Sequence, residues 1–199
     1  MSKMPIAIDV DLVVYDSGSE WMSWLARVYG KAPNIIGVHG EGPVDQLKYN
    51  LTKYFPTPPC DNSVKPFDFW EDPYLYDKLK PIAGCVEAVK RMHEAGHPIY
   101  FVSHCKKGHY SSKVRSLKRD FPFLDLEVGK DGFYATKNKG GVRAGALIDD
   151  RNSFLNQTAE DVLRVRFKTV YDQDAELSQP LDMDSNDWSE IADFVIDML

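Results

Sequence analysis

The chain has 199 residues, 43% of them hydrophobic and 27% charged, with a formal net charge of −6. That length suits one domain, or one domain with an insert, and the composition is that of an ordinary globular protein. The acidic balance argues against a nucleic-acid groove, and no apolar run approaches the roughly eighteen residues that a membrane span needs. Met1-Ser2-Lys3-Met4-Pro5 leads straight into an apolar segment, which leaves no room for a signal peptide. Cys60, Cys85 and Cys105 are odd in number and widely spaced, against both a disulfide framework and a zinc site. A reducing, cytoplasmic location is the expectation.

In chain order, strands are predicted over Pro5–Val10, His97–Val102, Leu124–Val128, Ala144–Ile148 and Leu163–Val170. Helices are predicted over Ser19–Tyr29, Val44–Tyr54, Cys85–Ala95, Tyr110–Phe121, Asn152–Thr158 and Asp187–Met198. Such βα alternation with short apolar strands reads as an α/β fold, a parallel sheet with helices on both faces. The stretch from Gly30 to Pro81 breaks the alternation and is rich in proline and aromatic residues. It is too long for a simple loop and reads as a small inserted subdomain. The last helix carries Trp188, Ile191, Phe194, Val195 and Met198 on or near one face. Packing against the domain is its expected role, with a homodimer contact as the alternative.

Charge is unevenly spread. Ten basic residues lie between Lys78 and Arg119 against only Glu87 and Glu94, whereas no Lys or Arg follows Lys168. A basic middle can draw in an anionic substrate, although solvated helix faces account for most of those charges individually.

The first strand ends in Asp9-Val10-Asp11, whose two carboxylates share one face of an extended chain. Like charges that close repel unless a cation sits between them, so the pair is a candidate Mg²⁺ cradle. In open parallel sheets ligands sit beyond the carboxyl ends of the strands. There the second strand delivers Ser103 and the fourth delivers Asp149 and Asp150, with Lys137 or Lys139 just before it.

The order of D-x-D, Ser, Lys and D-D resembles the four motifs of the haloacid-dehalogenase (HAD) superfamily of phosphotransferases. A closer resemblance is to the 5′(3′)-deoxyribonucleotidases. It rests on Phe69-Trp70-Glu71, on Pro81-Ile82-Ala83-Gly84-Cys85-Val86-Glu87-Ala88-Val89, and on Leu147-Ile148-Asp149-Asp150-Arg151. The resemblance implies a HAD-like Rossmannoid core over residues 1–17 and 80–199, with a small, mostly helical C1-type cap over 18–79, after the first strand. It implies a Mg²⁺-dependent phosphatase acting on (deoxy)nucleoside 5′-monophosphates.

By that resemblance Asp9 is the nucleophile and Asp11 protonates the leaving ribose oxygen, then activates water. Mg²⁺ would bind the Asp9 carboxylate, the Asp11 backbone carbonyl and Asp150, with Asp149 orienting a metal-bound water. Ser103 offers a hydroxyl to a phosphoryl oxygen, the His104 amide is a further donor, and a lysine offsets charge. Lys139, ten residues before Asp149, has the family spacing; Lys137 is the runner-up, and Lys107 is a candidate phosphate contact. A Ser103–His104 catalytic pair is disfavoured, because neighbours on an extended chain diverge.

A flat base is held by stacking, which one or two of Trp21, Trp24, Phe67, Phe69 and Trp70 would provide. One departure stands out: the family carries Gly after D-x-D, whereas Leu12 stands here. Its amide remains available to phosphate, while its side chain narrows the pocket. Three other readings compete: a HAD phosphatase for another small phosphomonoester such as a sugar phosphate, a receiver-like signalling module, and a non-catalytic phosphate-binding protein. A receiver opens with its acidic pair and carries its phosphoacceptor on a middle strand, the reverse of the order here.

Overall fold

The computed structural model describes residues 3–30, 47–55, 64–106, 108–127 and 129–199. Six parallel strands form one sheet in the order β3-β2-β1-β4-β5-β6. They span β1 Ile6–Ile8, β2 Ile99–Ser103, β3 Gly132–Ala135, β4 Ala146–Asp149, β5 Leu163–Phe167 and β6 Met183–Ser185. β1 is flanked on both sides, Ile6 pairing with Ile99 of β2 and with Ala146 of β4. Its residues are wholly buried, as expected of an inner parallel strand covered on both faces.

Among the described residues five helices accompany the sheet: α1 Ser17–Tyr29, α2 Cys85–Glu94, α3 His109–Asp120, α4 Asn152–Leu155 and α5 Trp188–Met198. α1 starts where the Asp16 carboxylate accepts the Ser19 amide at 3.0 Å, satisfying one of the orphan donors of the first turn. It buries Trp21, Met22 and Leu25. α5 is capped in the same way by Asp187 and packs along α2, burying Trp188, Ile191 and Val195. Met198, expected near that face, is exposed instead.

The strand expected at Leu124–Val128 lies at Gly132–Ala135; Leu124 is buried in a turn, and Val128 lies outside the described residues. The Asp131 carboxylate accepts the Ile99 amide at 2.8 Å, which fixes the chain entering the strand, and β3 is a half-exposed edge without an apolar run. β6 is an unexpected strand, short and polar, held through Arg166 and Asp184 at 2.6 Å. Helix α4 ends at Leu155 rather than Thr158 because the amides of Gln157 and Thr158 turn to carbonyls three residues back.

The helix expected at Val44–Tyr54 is not formed by its described residues. Leu47 bridges to Tyr171 as a strand would, and only Leu51–Tyr54 makes a 3₁₀ turn. Asn50 is the reason: its side-chain oxygen captures the Thr52 amide and hydroxyl, offering the backbone a local alternative to a helix. Further 3₁₀ turns, Asp68–Glu71 and Leu75–Asp77, lead into α2.

Candidate active site

The strand order places β1 between β2 and β4, so Asp9 and Asp11 are flanked by Ser103 on one side and Asp149 and Asp150 on the other. Asp9 is 5% exposed, and its Oδ1 lies 2.8 Å from the Lys139 ammonium. The same nitrogen lies 2.5 Å from Asp149 Oδ2. Burial works against the Lys139 charge, but Asp149 and Asp9 outweigh it and raise the pKa above the ordinary lysine value.

Lys139 opens a 3₁₀ turn held against the end of α4, where its amide donates to the Gln157 side chain at 2.8 Å. Gly140 permits that approach, because a Cβ there would stand 2.0 Å from the Gln157 carbonyl oxygen. Lys137 is exposed. Of the two lysines that sequence spacing left open, Lys139 is the one that lies beside Asp9 and Asp149.

Asp9, Asp149 and Asp150 each offer a carboxylate oxygen, and these atoms all lie within 4.8 Å of one another. Burial pushes Asp149 up to about 7, with the Asp9 charge adding and Lys139 opposing. Asp150 is pushed well above the carboxylate range by burial and then by Asp149 and Asp9. These three buried acids lie together with the Lys139 ammonium, and a divalent cation there would favour the charged carboxylates that burial disfavours. The donor set, all carboxylate oxygen, is that of a hard ion.

Asp11 is not part of this cluster; it is half-buried and lines the same cavity as Asp9 and Asp150. Its Oδ2 lies 2.6 Å from Lys113 Nζ and 3.3 Å from the Ser103 hydroxyl. Its Oδ1 accepts Ser17 Oγ at 3.0 Å and the Tyr76 hydroxyl. Burial raises the Asp11 pKa, but Lys113, Tyr76 and Ser17 together hold it below the usual value. Lys113 is completely buried and also donates to Ser103 Oγ at 2.7 Å.

Lys113, Tyr76 and Ser17 escaped the sequence reading. The available signal was Lys113 sharing the buried face of α3 with Ser112, Ser116 and Leu117, at helical spacing, within a stretch read as solvated charge. Tyr49, which donates to Asp150 at 2.9 Å, was masked by its place in a predicted helix.

Above the carboxylates opens a cavity of about 450 Å³. Trp21, Phe67 and Trp70 line it, with Trp21 5.4 Å from each of the other two rings. The Trp21 indole is fixed by donating to the Pro66 carbonyl at 3.0 Å. Phe69 does not line the cavity; it is buried edge-on behind Trp70, and Trp24 packs on Phe69 and Tyr29. His104 lines the cavity, and its carbonyl accepts from Lys113 at 3.3 Å. Lys107 lies outside the described residues.

The turn after Asp11 differs from expectation. Leu12 adopts φ 64, and its amide is bonded to the Tyr15 carbonyl at 2.8 Å rather than directed at a phosphate. The side chain does line the cavity.

Known structures share this architecture. A haloacid dehalogenase-like hydrolase from Burkholderia xenovorans LB400 superposes with a TM-score of 0.58 at 14% identity, over 97% of this chain and 96% of its own. A HAD family hydrolase from Deinococcus radiodurans R1, solved with phosphate and sodium, gives 0.55 at 15% identity over 98% and 97%. The fold is therefore that of the HAD-like hydrolases. No curated protein matches the sequence at a significant level. The family model described as 5′ nucleotidase, deoxy (Pyrimidine), cytosolic type C protein matches residues 3–197, and the chain belongs to that family. It is accordingly a phosphoric monoester hydrolase of the nucleotidase kind. No helix among the described residues is long and apolar enough to cross a membrane.

Proposed function

We propose that the protein is a Mg²⁺-dependent phosphatase that hydrolyses (deoxy)nucleoside 5′-monophosphates through an aspartyl-phosphate on Asp9, in the cytoplasm. The observation that carries this reading is the buried Asp9, paired with Lys139 at the floor of an aromatic-walled cavity. The Asp9 carboxylate attacks phosphorus, the bond to the ribose oxygen breaks, and that oxygen takes a proton through Asp11, which draws it from the Lys113 ammonium 2.6 Å away. Water then attacks the phosphorus with Asp11 taking its proton, and Asp9 is released with inorganic phosphate. Lys139 offsets negative charge on the transferring group, while Ser103 turns its hydroxyl from Asp11 to a phosphoryl oxygen. The His104 amide and Lys107 are further phosphate contacts.

The ion would be held by Asp9, Asp150 and the Asp11 carbonyl, supported by Asp149. When bound it supplies positive charge against the phosphoryl oxygens. Residues 18–79 act as a cap, with Trp21, Phe67 and Trp70 holding the base.

Phosphate release from dUMP and dTMP, beside a panel of sugar phosphates, tests the reading. Turnover of the nucleotides with Mg²⁺, loss with EDTA, and loss in Asp9→Asn with substrate binding retained are the expected results. Preference for sugar phosphates would overturn the substrate class, and near-full activity of Asp9→Asn would overturn the chemistry.

A further inference from the structure

The Tyr49 hydroxyl stands 2.9 Å from Asp150 Oδ2 and 3.1 Å from the Asp150 carbonyl oxygen. Among the described residues no other side chain donates to that carboxylate. The Tyr49 ring stacks on Tyr171 at 5.3 Å and 19°, and the Arg151 guanidinium lies 4.8 Å from its centre. Its neighbours in sequence are anchored to the same place. The Leu47 amide donates to the Val170 carbonyl at 2.9 Å, the Asp172 amide donates to the Leu47 carbonyl at 2.7 Å, and Lys48 pairs with Asp172. Gln173, on this same loop, donates to the Asp150 carbonyl at 3.1 Å. Asp150 itself is 1% exposed. A segment distant in sequence is thus laid over the acidic cluster and touches it through one phenol.

We infer that Tyr49 is a positioning residue: its hydroxyl orients the Asp150 carboxylate for a divalent cation, so that ion binding and the seating of residues 47–51 stabilise each other. This rests on the metal site proposed above. A hydrogen bond to one oxygen of a ligating carboxylate fixes the plane of the group and leaves the other oxygen directed at the ion. Reciprocity follows from linkage, because whatever the seated segment adds to ion affinity the ion returns to the segment.

Titration calorimetry with MgCl₂ on the wild type, Tyr49→Phe and Asp150→Asn tests this, together with hydrogen exchange of residues 47–55 with and without Mg²⁺. Tyr49→Phe keeps the ring on Tyr171 and removes one oxygen. Its Kd for Mg²⁺ is expected to rise about tenfold, the lower end for loss of a carboxylate's outer partner. Mg²⁺ should slow exchange in the segment in the wild type and do so less in the variant. An unchanged Kd in Tyr49→Phe, or wild-type exchange indifferent to Mg²⁺, would overturn the inference and leave the metal site standing. A wild type that takes up no Mg²⁺ would overturn both, a result legible without either variant.

Discussion

Lys113 reaches Asp11 from α3, its ammonium 2.6 Å from Oδ2, and the contact is completely closed to solvent on the lysine side. Removing one partner of such a pair leaves the other charge uncompensated. Asp11 is half-buried, so the cost in Lys113→Met is put at about 2 kcal/mol, below the full buried-pair figure. That corresponds to a melting point lower by roughly 4–8 °C for a chain of this size. Because Lys113 holds Asp11 rather than substrate, kcat should fall at least about tenfold while KM stays nearly constant. A KM rise at constant kcat would instead make Lys113 a substrate contact.

Leu12 occupies the left-handed region that glycine tolerates without cost. In Leu12→Gly, relief of about 1 kcal/mol of backbone strain offsets much of the lost side-chain packing. Stability close to wild type in a denaturant melt is the expected outcome, with altered selectivity between large and small phosphomonoesters because the Leu12 side chain lines the cavity. Leu12→Ala, which loses the packing and keeps the strain, should be the less stable of the two.

Phe67 and Phe69 separate binding from packing. Phe67 is 45% exposed at the cavity, whereas Phe69 is 5% exposed within the aromatic cluster. Phe67→Ala should raise KM for nucleotides with kcat and stability nearly unchanged. Phe69→Ala should cost about 3 kcal/mol of stability, the ordinary range for emptying a buried aromatic site. Kinetics and melts on both proteins check this; the reverse pattern would place the wrong ring at the base.

His109 gives a pH signature. Its ring is 2% exposed, 5.4 Å from Tyr76 and 6.0 Å from Trp70, and burial with the Lys113 charge depresses its pKa to about 4. Above pH 6.5 the ring is neutral in both states and costs nothing. Below that value the unfolded chain takes the proton first, so stability falls as pH falls towards 4, by at most about 1.4 kcal/mol per unit. Between pH 6.5 and 5 the melting point of His109→Phe should therefore fall less steeply than that of the wild type. Parallel curves would remove His109 as the source.

The sequence made the central sheet and its carboxylates legible because both depend on local pattern: apolar runs for inner strands, acids at their ends. β3 and β6 were hidden because edge strands need no apolar run, as Phe133-Tyr134 and Asp184 illustrate. Lys139 was singled out by the family resemblance, through its distance from Asp149. Lys113 was not, because one buried charge in a basic helix looks like its solvated neighbours until tertiary packing singles it out. Tyr49 and Tyr76 donate to carboxylates 101 and 65 residues away, which no local pattern encodes.

The position of β1 also bears on synthesis. Its first sheet neighbour, β2, begins about ninety residues later, and β4 later still. At roughly 5–20 residues per second a ribosome leaves Ile6-Ala7-Ile8 without either partner for several seconds. During that interval the nascent strand is an open edge, a template for pairing with other chains. The strand that leads into Asp9 is therefore where a translating cell has the most reason to post a chaperone.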